Sequence, residues 1–247
     1  NESWENSTGC NGLIKLWMEP FYFEDNYGSL GIALENAIKG IGNTLIRSIK
    51  NSGAHSFSPT FDKRICFYNE NEKLFYQRII APYKLLILGA SPAADALIKI
   101  ANILGWQTVI CDSRQTSLSY IQSADEKIFL KSYEQSSEIV DNNKFDAAVV
   151  MSHNFTSDAI YLKSLIQSKV SYIGVMGPKK RTKLMIESLY KKSSPIDPRI
   201  HNPVGLDLGG ESPQSIALAI CAEIEAFKNN SDAVPLKDKE GFCIHAR

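Results

Sequence analysis

The chain has 247 residues, 44% of them hydrophobic, and its 27 Lys plus Arg are matched by 27 Asp plus Glu. That length allows one large domain or two small ones, each able to bury a core, and two are expected. With no net charge, and neither half far from neutral, there is no global field to draw the protein to nucleic acid or an anionic membrane, so any anion site must be local. The longest apolar runs, such as Leu85 to Leu88 and Ala147 to Met151, fall far short of the roughly 20 residues that span a bilayer. Five cysteines, Cys10, Cys66, Cys111, Cys221 and Cys243, form no Cys-x-x-Cys pair and are odd in number, which suits a reducing compartment and points to the cytoplasm. The opening stretch Asn1 to Thr8 is polar, with neither an initiator Met nor the apolar core of a signal peptide, and a missing upstream segment is expected.

In chain order, GLIKLWME from Gly12 to Glu19 alternates well enough for a strand with one buried face. A helix should follow, because Leu30, Ala33, Leu34 and Ala37 recur at helical spacing and Gly40 with Gly42 closes the segment. Thr44 to Ile49, Lys63 to Tyr68 and Lys73 to Ile80 are short candidate strands. Residues 1–81 therefore read as a small α+β domain, and Ala81 with Pro82 as a linker. Beyond it, over residues 82–247, strands alternate with helices, the grammar of a Rossmann-like doubly wound parallel sheet. Strands are predicted at Lys84 to Leu88, Gln107 to Asp112, Lys127 to Leu130, Asp146 to Met151 and Val170 to Val175. Helices are predicted at Pro92 to Leu104, about Ser157 to Gln167, and Pro178 to Tyr190. Ser212 and Pro213 open a last helix lined by Ile216, Leu218, Ala219, Ala222 and Ile224. There are no internal repeats.

Four places could carry chemistry. LLILGASPAADAL, residues 85–97, puts a glycine at the end of the first strand and small residues into the following helix, where free amides favour a phosphate. Gly89 and Ala94 fit the G-x-G-x-x-G/A fingerprint, with Ala90 between them, while Ser91 replaces the second glycine. About twenty residues on, Asp112 either accepts from a ribose or caps a turn, and Arg114 beside it either contacts a phosphate or makes a surface ion pair. His153, in VVMSHN, lies at the carboxyl edge of the sheet, where it could donate a proton or touch a ligand. A lone His is poor evidence for a metal. GVMGPKKRTK sets Gly177, Lys179, Lys180 and Arg181 at a helix start, where cations oppose the dipole unless an anion is held there. GLDLGGE, Gly205 to Glu211, brings three glycines and the acids Asp207 and Glu211 into a loop that could approach a ligand or be a tight crossing.

Taken together, LLILGASPAADALIKIANILGWQTVICDSR, AAVVMSHNFTSD, YIGVMGPKKR and RIHNPVGLDLGGESPQSIALAICAEI resemble, in order and spacing, the successive blocks of the XdhC/CoxI family of xanthine dehydrogenase accessory proteins. The resemblance runs from about Gly9 to Arg247. It implies a protein that binds molybdenum cofactor (molybdopterin), assists replacement of an oxo ligand by sulfur together with a cysteine desulfurase, and delivers the product to a xanthine dehydrogenase-type molybdenum hydroxylase. A homodimer is also implied. The family's Gly-Ala-Gly-His turn corresponds to Gly89, Ala90, Ser91 and Pro92, so its second glycine and its histidine are absent. Its Thr-His-Asp-His stretch corresponds to Ser152, His153, Asn154 and Phe155, keeping only the first histidine. Thr8 to Gly12 resembles the family's Gly-Cys-Gly-Gly element, which makes Cys10 the candidate thiolate near molybdenum or transferred sulfur, whereas the family's earlier cysteine segment should precede Asn1. On this reading the pterin and phosphate lie against Gly89 to Ala94 and Lys179 to Arg181, with no turnover of the chain's own. Two other readings stand beside it: an NAD(P)-binding oxidoreductase, and a homologue that has lost cofactor and binds partners alone.

Overall fold

The computed structural model describes residues 18, 20, 22–39, 41–50, 55–58, 66–190 and 196–239, so the strand expected at Gly12 to Glu19 lies, but for Met18, outside the described residues. The chain divides into two compact units, 1–81 and 82–247. Among the described residues no helix is long and apolar enough to cross a membrane.

The first unit holds α1 (Gly28–Ile38), β1 (Asn43–Ser48), β2 (His55–Ser58), β3 (Cys66–Asn69) and β4 (Leu74–Ile79). The strands pair antiparallel in the order β2-β1-β4-β3. Phe67 and Tyr76 face each other across β3 and β4 and stack with ring centroids 4.4 Å apart, the kind of cross-strand contact that fixes a register. α1 buries Gly31, Ala33 and Ala37. Leu34, expected on the buried stripe, is 44% exposed. The helix ends at Ile38 with Lys39 as its C-cap, ahead of the glycines expected to stop it. β2, a largely polar HSFS run, was not expected.

The second unit alternates β5 (Lys84–Leu88), α2 (Pro92–Ile103), β6 (Gln107–Asp112), α3 (Gln115–Tyr120), β7 (Glu126–Phe129), α4 (Gln135–Asn142), β8 (Ala147–Val150), α5 (Phe155–Ile166), β9 (Tyr172–Val175), α6 (Lys179–Leu189), β10 (Ile200–His201) and α7 (Pro213–Lys228). All six strands are parallel, in the order β10-β9-β8-β5-β6-β7. The chain thus starts mid-sheet, winds one way through β6 and β7, then returns past β5 and winds the other way. The two directions part between β5 and β8, and ligands of such sheets gather at the carboxyl ends of the strands around that point.

Period-two side-chain alternation splits the apolar strands between two cores. Leu85 and Ile87 pack with Leu97 and Ala101 of α2 and Ile220, Cys221 and Ile224 of α7. Leu86 and Leu88 pack on the other face with Leu162 and Leu165 of α5 and Met185 of α6. The buried face of α7 is Ala217, Ile220, Cys221 and Ile224. Of the residues expected to line this helix, Ile224 is buried and Ile216 packs against the same core, while Leu218 is 51% exposed. α3, α4 and the two-residue β10 were not expected either.

Candidate functional site

Of the connections at the carboxyl edge of the second sheet, four carry the candidate residues, and each uses its polar groups differently.

The β5–α2 turn is tied to the end of β6. Gly89 has φ +114° and lies so close to the start of the β8–α5 connection that a Cβ there would overlap the Ser152 backbone. This glycine is required by the approach of two strand ends. Ser91 is the N-cap of α2, its Oγ accepting from the Ala94 amide at 3.1 Å, and Pro92 occupies the first helical position. Asp112 is almost fully buried. Its Oδ2 accepts from the Ala90 amide at 2.6 Å and from Arg114 Nη2 at 2.7 Å. Its Oδ1 accepts from the Arg114 amide at 2.7 Å and Nε at 3.0 Å. Burial pushes its carboxyl upward, but these bonds outweigh burial and hold it below the usual carboxylate range. Asp112 is therefore turned to two backbone amides and to Arg114, the arrangement of the turn-capping alternative. Arg114, half exposed, is committed to that acid and to the Ala90 carbonyl at 3.0 Å.

The β8–α5 connection carries His153, exposed and with φ 63°, a backbone region that His enters more readily than most side chains. Asn154 caps α5 by accepting from the Ser157 amide at 3.1 Å. Sequence reading missed the neighbour that organises this turn. Asp158 is buried, accepts from the Ser152 hydroxyl at 2.5 Å and its amide at 3.2 Å, and pairs with Arg181 Nη2 at 2.7 Å. Arg181, expected to face a cofactor, is instead a strut between α5 and α6. A guanidinium shortly after Gly-Pro and an acid in the first turn of the preceding helix were the available signals.

At the β9–α6 turn Gly177 has φ +109°. α6 has no side-chain cap, and among the described residues the amides of Lys179 and Lys180 have no acceptor. Both lysines are exposed. This is an uncapped helix start with two cations beside it, a combination that opposes the dipole unless an anion is present.

The β10–α7 connection is fixed at its base. Asn202 Nδ2 donates to the carbonyls of Val175 at 2.9 Å and Gly177 at 2.8 Å. Glu223 of α7 accepts from the Gly205 amide at 2.6 Å, Tyr172 Oη at 2.6 Å and His201 Nδ1 at 3.1 Å. Burial raises the Glu223 carboxyl, yet these hydrogen bonds prevail and hold it below its ordinary value. Gly205 has φ +108° and packs tightly on Ala219 and Ile220, so a side chain there would be strained by the backbone and crowded by α7. Asn202, His201 and Glu223 were not singled out from the sequence, although all three fall in the last family-like block. Beyond Leu206, whose amide reaches the Ala219 carbonyl at 3.1 Å, no backbone hydrogen bond is made until α7 begins. The loop borders a cleft of about 670 Å³ lined by Lys179, Gly205, Asp207, Gly209, Glu211 and Ile216 among others. Among the described residues Lys179, Asp207 and Glu211 have no ion-pair or hydrogen-bond partner.

A family model for the XdhC Rossmann domain matches residues 85–224, more than half of the chain. The chain belongs to the XdhC family. A curated relative of Bacillus subtilis strain 168, named as a probable xanthine dehydrogenase subunit, is 27% identical over 241 residues, covering 90% of this chain and 71% of its own. "Uncharacterized protein YqeB" of Escherichia coli strain K12 is 26% identical over 152 residues, which cover 60% of this chain and 28% of that protein. A solved structure described as a xanthine dehydrogenase from Bacillus halodurans superimposes with a TM-score of 0.66 at 22% identity, over 83% of this chain and 67% of its own, and so shares the fold.

Of the XdhC-like residues singled out from sequence, the structure places Lys179 and Asp207 on one cleft. Gly89, Ala90, Ser91, Ala94, Asp112 and Arg114 join in the separate first turn, and His153 stands alone on its loop. Lys180 does not line the cleft. Cys10 lies outside the described residues. Among the described residues no group of His, Cys, Asp and Glu could hold a metal ion.

Proposed function

We propose that this XdhC-family chain is a cytoplasmic accessory protein of a xanthine dehydrogenase-type molybdenum hydroxylase, one that holds molybdenum cofactor while a cysteine desulfurase supplies sulfur and then passes it on. The observation that carries the reading is the XdhC match over residues 85–224, supported by a relative named for a xanthine dehydrogenase. The buried free thiols Cys111 and Cys221 accord with a reducing compartment.

Molybdenum cofactor joins a phosphate to a pterin whose edge donates hydrogen bonds, with molybdenum held by two sulfurs of the same molecule; bound to a carrier, it supplies the metal on which sulfur is exchanged. Donors for the phosphate are few at the first turn, where the Ala90 and Ala94 amides are taken, Pro92 has none, and among the described residues only those of Ser91 and Ala93 are left, with no cation beside them that is not already paired. At the β9–α6 turn the Lys179 amide is joined by the Lys179 ammonium, unpaired among the described residues, and Lys179 lines the cleft. On the other side of the same cleft Asp207 and Glu211 can accept from the donor edge of a pterin. A cleft of about 670 Å³ falls within the roughly 300–1,000 Å³ of small-molecule sites. These residues bind and orient. Glu223 and Asn202 keep the base of the loop in register by holding Gly205, Val175 and Gly177.

The test is retention. Purified apo-protein is mixed anaerobically with molybdenum cofactor, free ligand is removed, and bound molybdenum and pterin are counted. Near one per chain is expected, falling about tenfold or more in Lys179→Ala for the loss of a charge-assisted contact, with Cys10→Ala run alongside. No retention at micromolar concentrations would sink the carrier reading.

A further inference from the structure

In a dinucleotide-binding turn, the second glycine lets pyrophosphate approach the backbone, the first helical amides donate to it, and the acid ending the next strand accepts from ribose hydroxyls. In this chain all three places are largely filled by the protein's own groups.

Ser91 sets a Cβ and a hydroxyl where the second glycine would stand, and that hydroxyl accepts from the Ala94 amide at 3.1 Å. Pro92 has no N–H to give. The Ala90 amide donates to Asp112 at 2.6 Å. Within residues 90–94 this leaves only the amides of Ser91 and Ala93 without an acceptor among the described residues. Asp95, paired with Lys99 at 2.6 Å, sets a carboxylate in the first turn of α2, where a phosphate would have to sit beside it. Asp112 accepts four hydrogen bonds, three of them from Arg114 and one from Ala90, which uses the full acceptor capacity of a carboxylate. The Arg114 guanidinium, bridging from that acid to the Ala90 carbonyl at 3.0 Å, covers the lone pairs a ribose would need.

We infer that Ser91, Pro92, Asp95 and the Asp112–Arg114 pair determine ligand specificity at this edge by closing the first turn to dinucleotides. The β5–α2 turn is a self-liganded joint between β5, α2 and β6. Because it lies on other residues than the cleft of Lys179 and Asp207, this inference stands or falls apart from the carrier proposal.

The full chain is titrated with NADH and with NADPH, following ligand fluorescence and calorimetric heat. No saturable binding is expected up to the order of 1 mM, where an association is worth only about 4 kcal/mol. Arg114→Ala, whose side chain is half exposed and leaves the core untouched, frees Asp112 and should tighten binding of one of the two by at least about tenfold, and Ser91→Gly combined with it further still. Circular dichroism confirms that each variant is folded. Saturation of the unaltered chain by either cofactor at micromolar concentration overturns the inference. So does a folded Arg114→Ala chain that binds no better than the unaltered one.

Discussion

Gly89→Ala should be one of the most damaging single-methyl substitutions in the second unit. The residue sits at φ +114°, and the added Cβ would overlap the Ser152 backbone while approaching Ser152 Cβ to 2.7 Å. Ser152 is poorly placed to retreat, because its amide and hydroxyl are both held by buried Asp158, which is itself tied to Arg181. Backbone strain of this kind costs about 1–3 kcal/mol and forced overpacking about 1–3 kcal/mol more, for a combined loss of about 4 kcal/mol. At about 2–4 °C per kcal/mol for a unit of this size, the calorimetric transition of residues 82–247 should fall by about 8–16 °C. Gly209→Ala separates the two terms: it also has positive φ, at +72°, but nothing lies within 4 Å of its added Cβ, so only a conformational cost of about 1–2 kcal/mol applies. Equal losses in the two variants, or a Gly89→Ala loss under about 1 kcal/mol, would refute the close-approach argument.

Asp158→Ala leaves the Arg181 guanidinium without its buried partner and should cost about 3–5 kcal/mol, read by urea denaturation; Asp158→Ala with Arg181→Met should cost less than the single change, and a larger loss in the double variant would contradict the strut role. Glu223 has a folded pKa below its ordinary 4.5, so its charge contributes stability that is fully present above about pH 4.5 and is lost as pH falls through the folded value. The stability gap between the unaltered chain and Glu223→Gln should accordingly be constant near neutrality and shrink in acid, whereas a gap independent of pH would mean that the charge plays no part. Burial pushes the Cys111 and Cys221 thiols up to about 12, while Cys66 is exposed. Peptide mapping after iodoacetamide treatment at pH 8 should find Cys66 modified in the native chain and Cys111 and Cys221 modified only after unfolding; native labelling of either buried thiol would show that the core opens readily.

The second unit's central strands were legible because both faces of the sheet are covered, which makes each strand a continuous apolar run bounded by turn residues. Lys84–Leu88 and Gln107–Asp112 have the same bounds in sequence and structure. Where an element has little of its own to bury, the signal fades. α3 buries only Leu118 and α4 only Ser136 and Val140, so neither shows a stripe, and both exist because the crossover must return to the sheet. β10 is two residues long and is defined by its pairing to β9, a contact with no local pattern. Site residues divide the same way. Their positions at strand ends follow from the alternation of elements, so Asp112, His153 and Lys179 could be named. Their partners depend on which turns are neighbours in space: the sequence brings Asp112 and Arg114 within two positions but gives no hint that Ala90 completes the set, and it separates Asp158 from Arg181 by a helix and a strand.

The edge as a whole follows from the order of the strands. β5 is central and its turn is hemmed in by the end of β6 on one side and the start of the β8 connection on the other, so Ala90 finds Asp112 and Gly89 meets Ser152. A turn so enclosed can satisfy its polar groups internally, and this one largely does. β9 and β10 lie at the far side of the sheet, where a two-residue strand cannot cover the turn into α6. Lys179 at the start of α6 and the loop after Gly205 are left lining a cleft, and among the described residues the Lys179 amide has no protein acceptor and Asp207 and Glu211 are paired with no protein cation. In this unit α2, α5 and α7 are capped by Ser91, Asn154 and Ser212, whereas α3, α4 and α6 have no side-chain cap. Of these three starts, that of α6 carries two exposed lysines, which the helix dipole disfavours, and Lys179 lines the cleft, which is why the proposal sets the cofactor phosphate at Lys179 and not at Gly89.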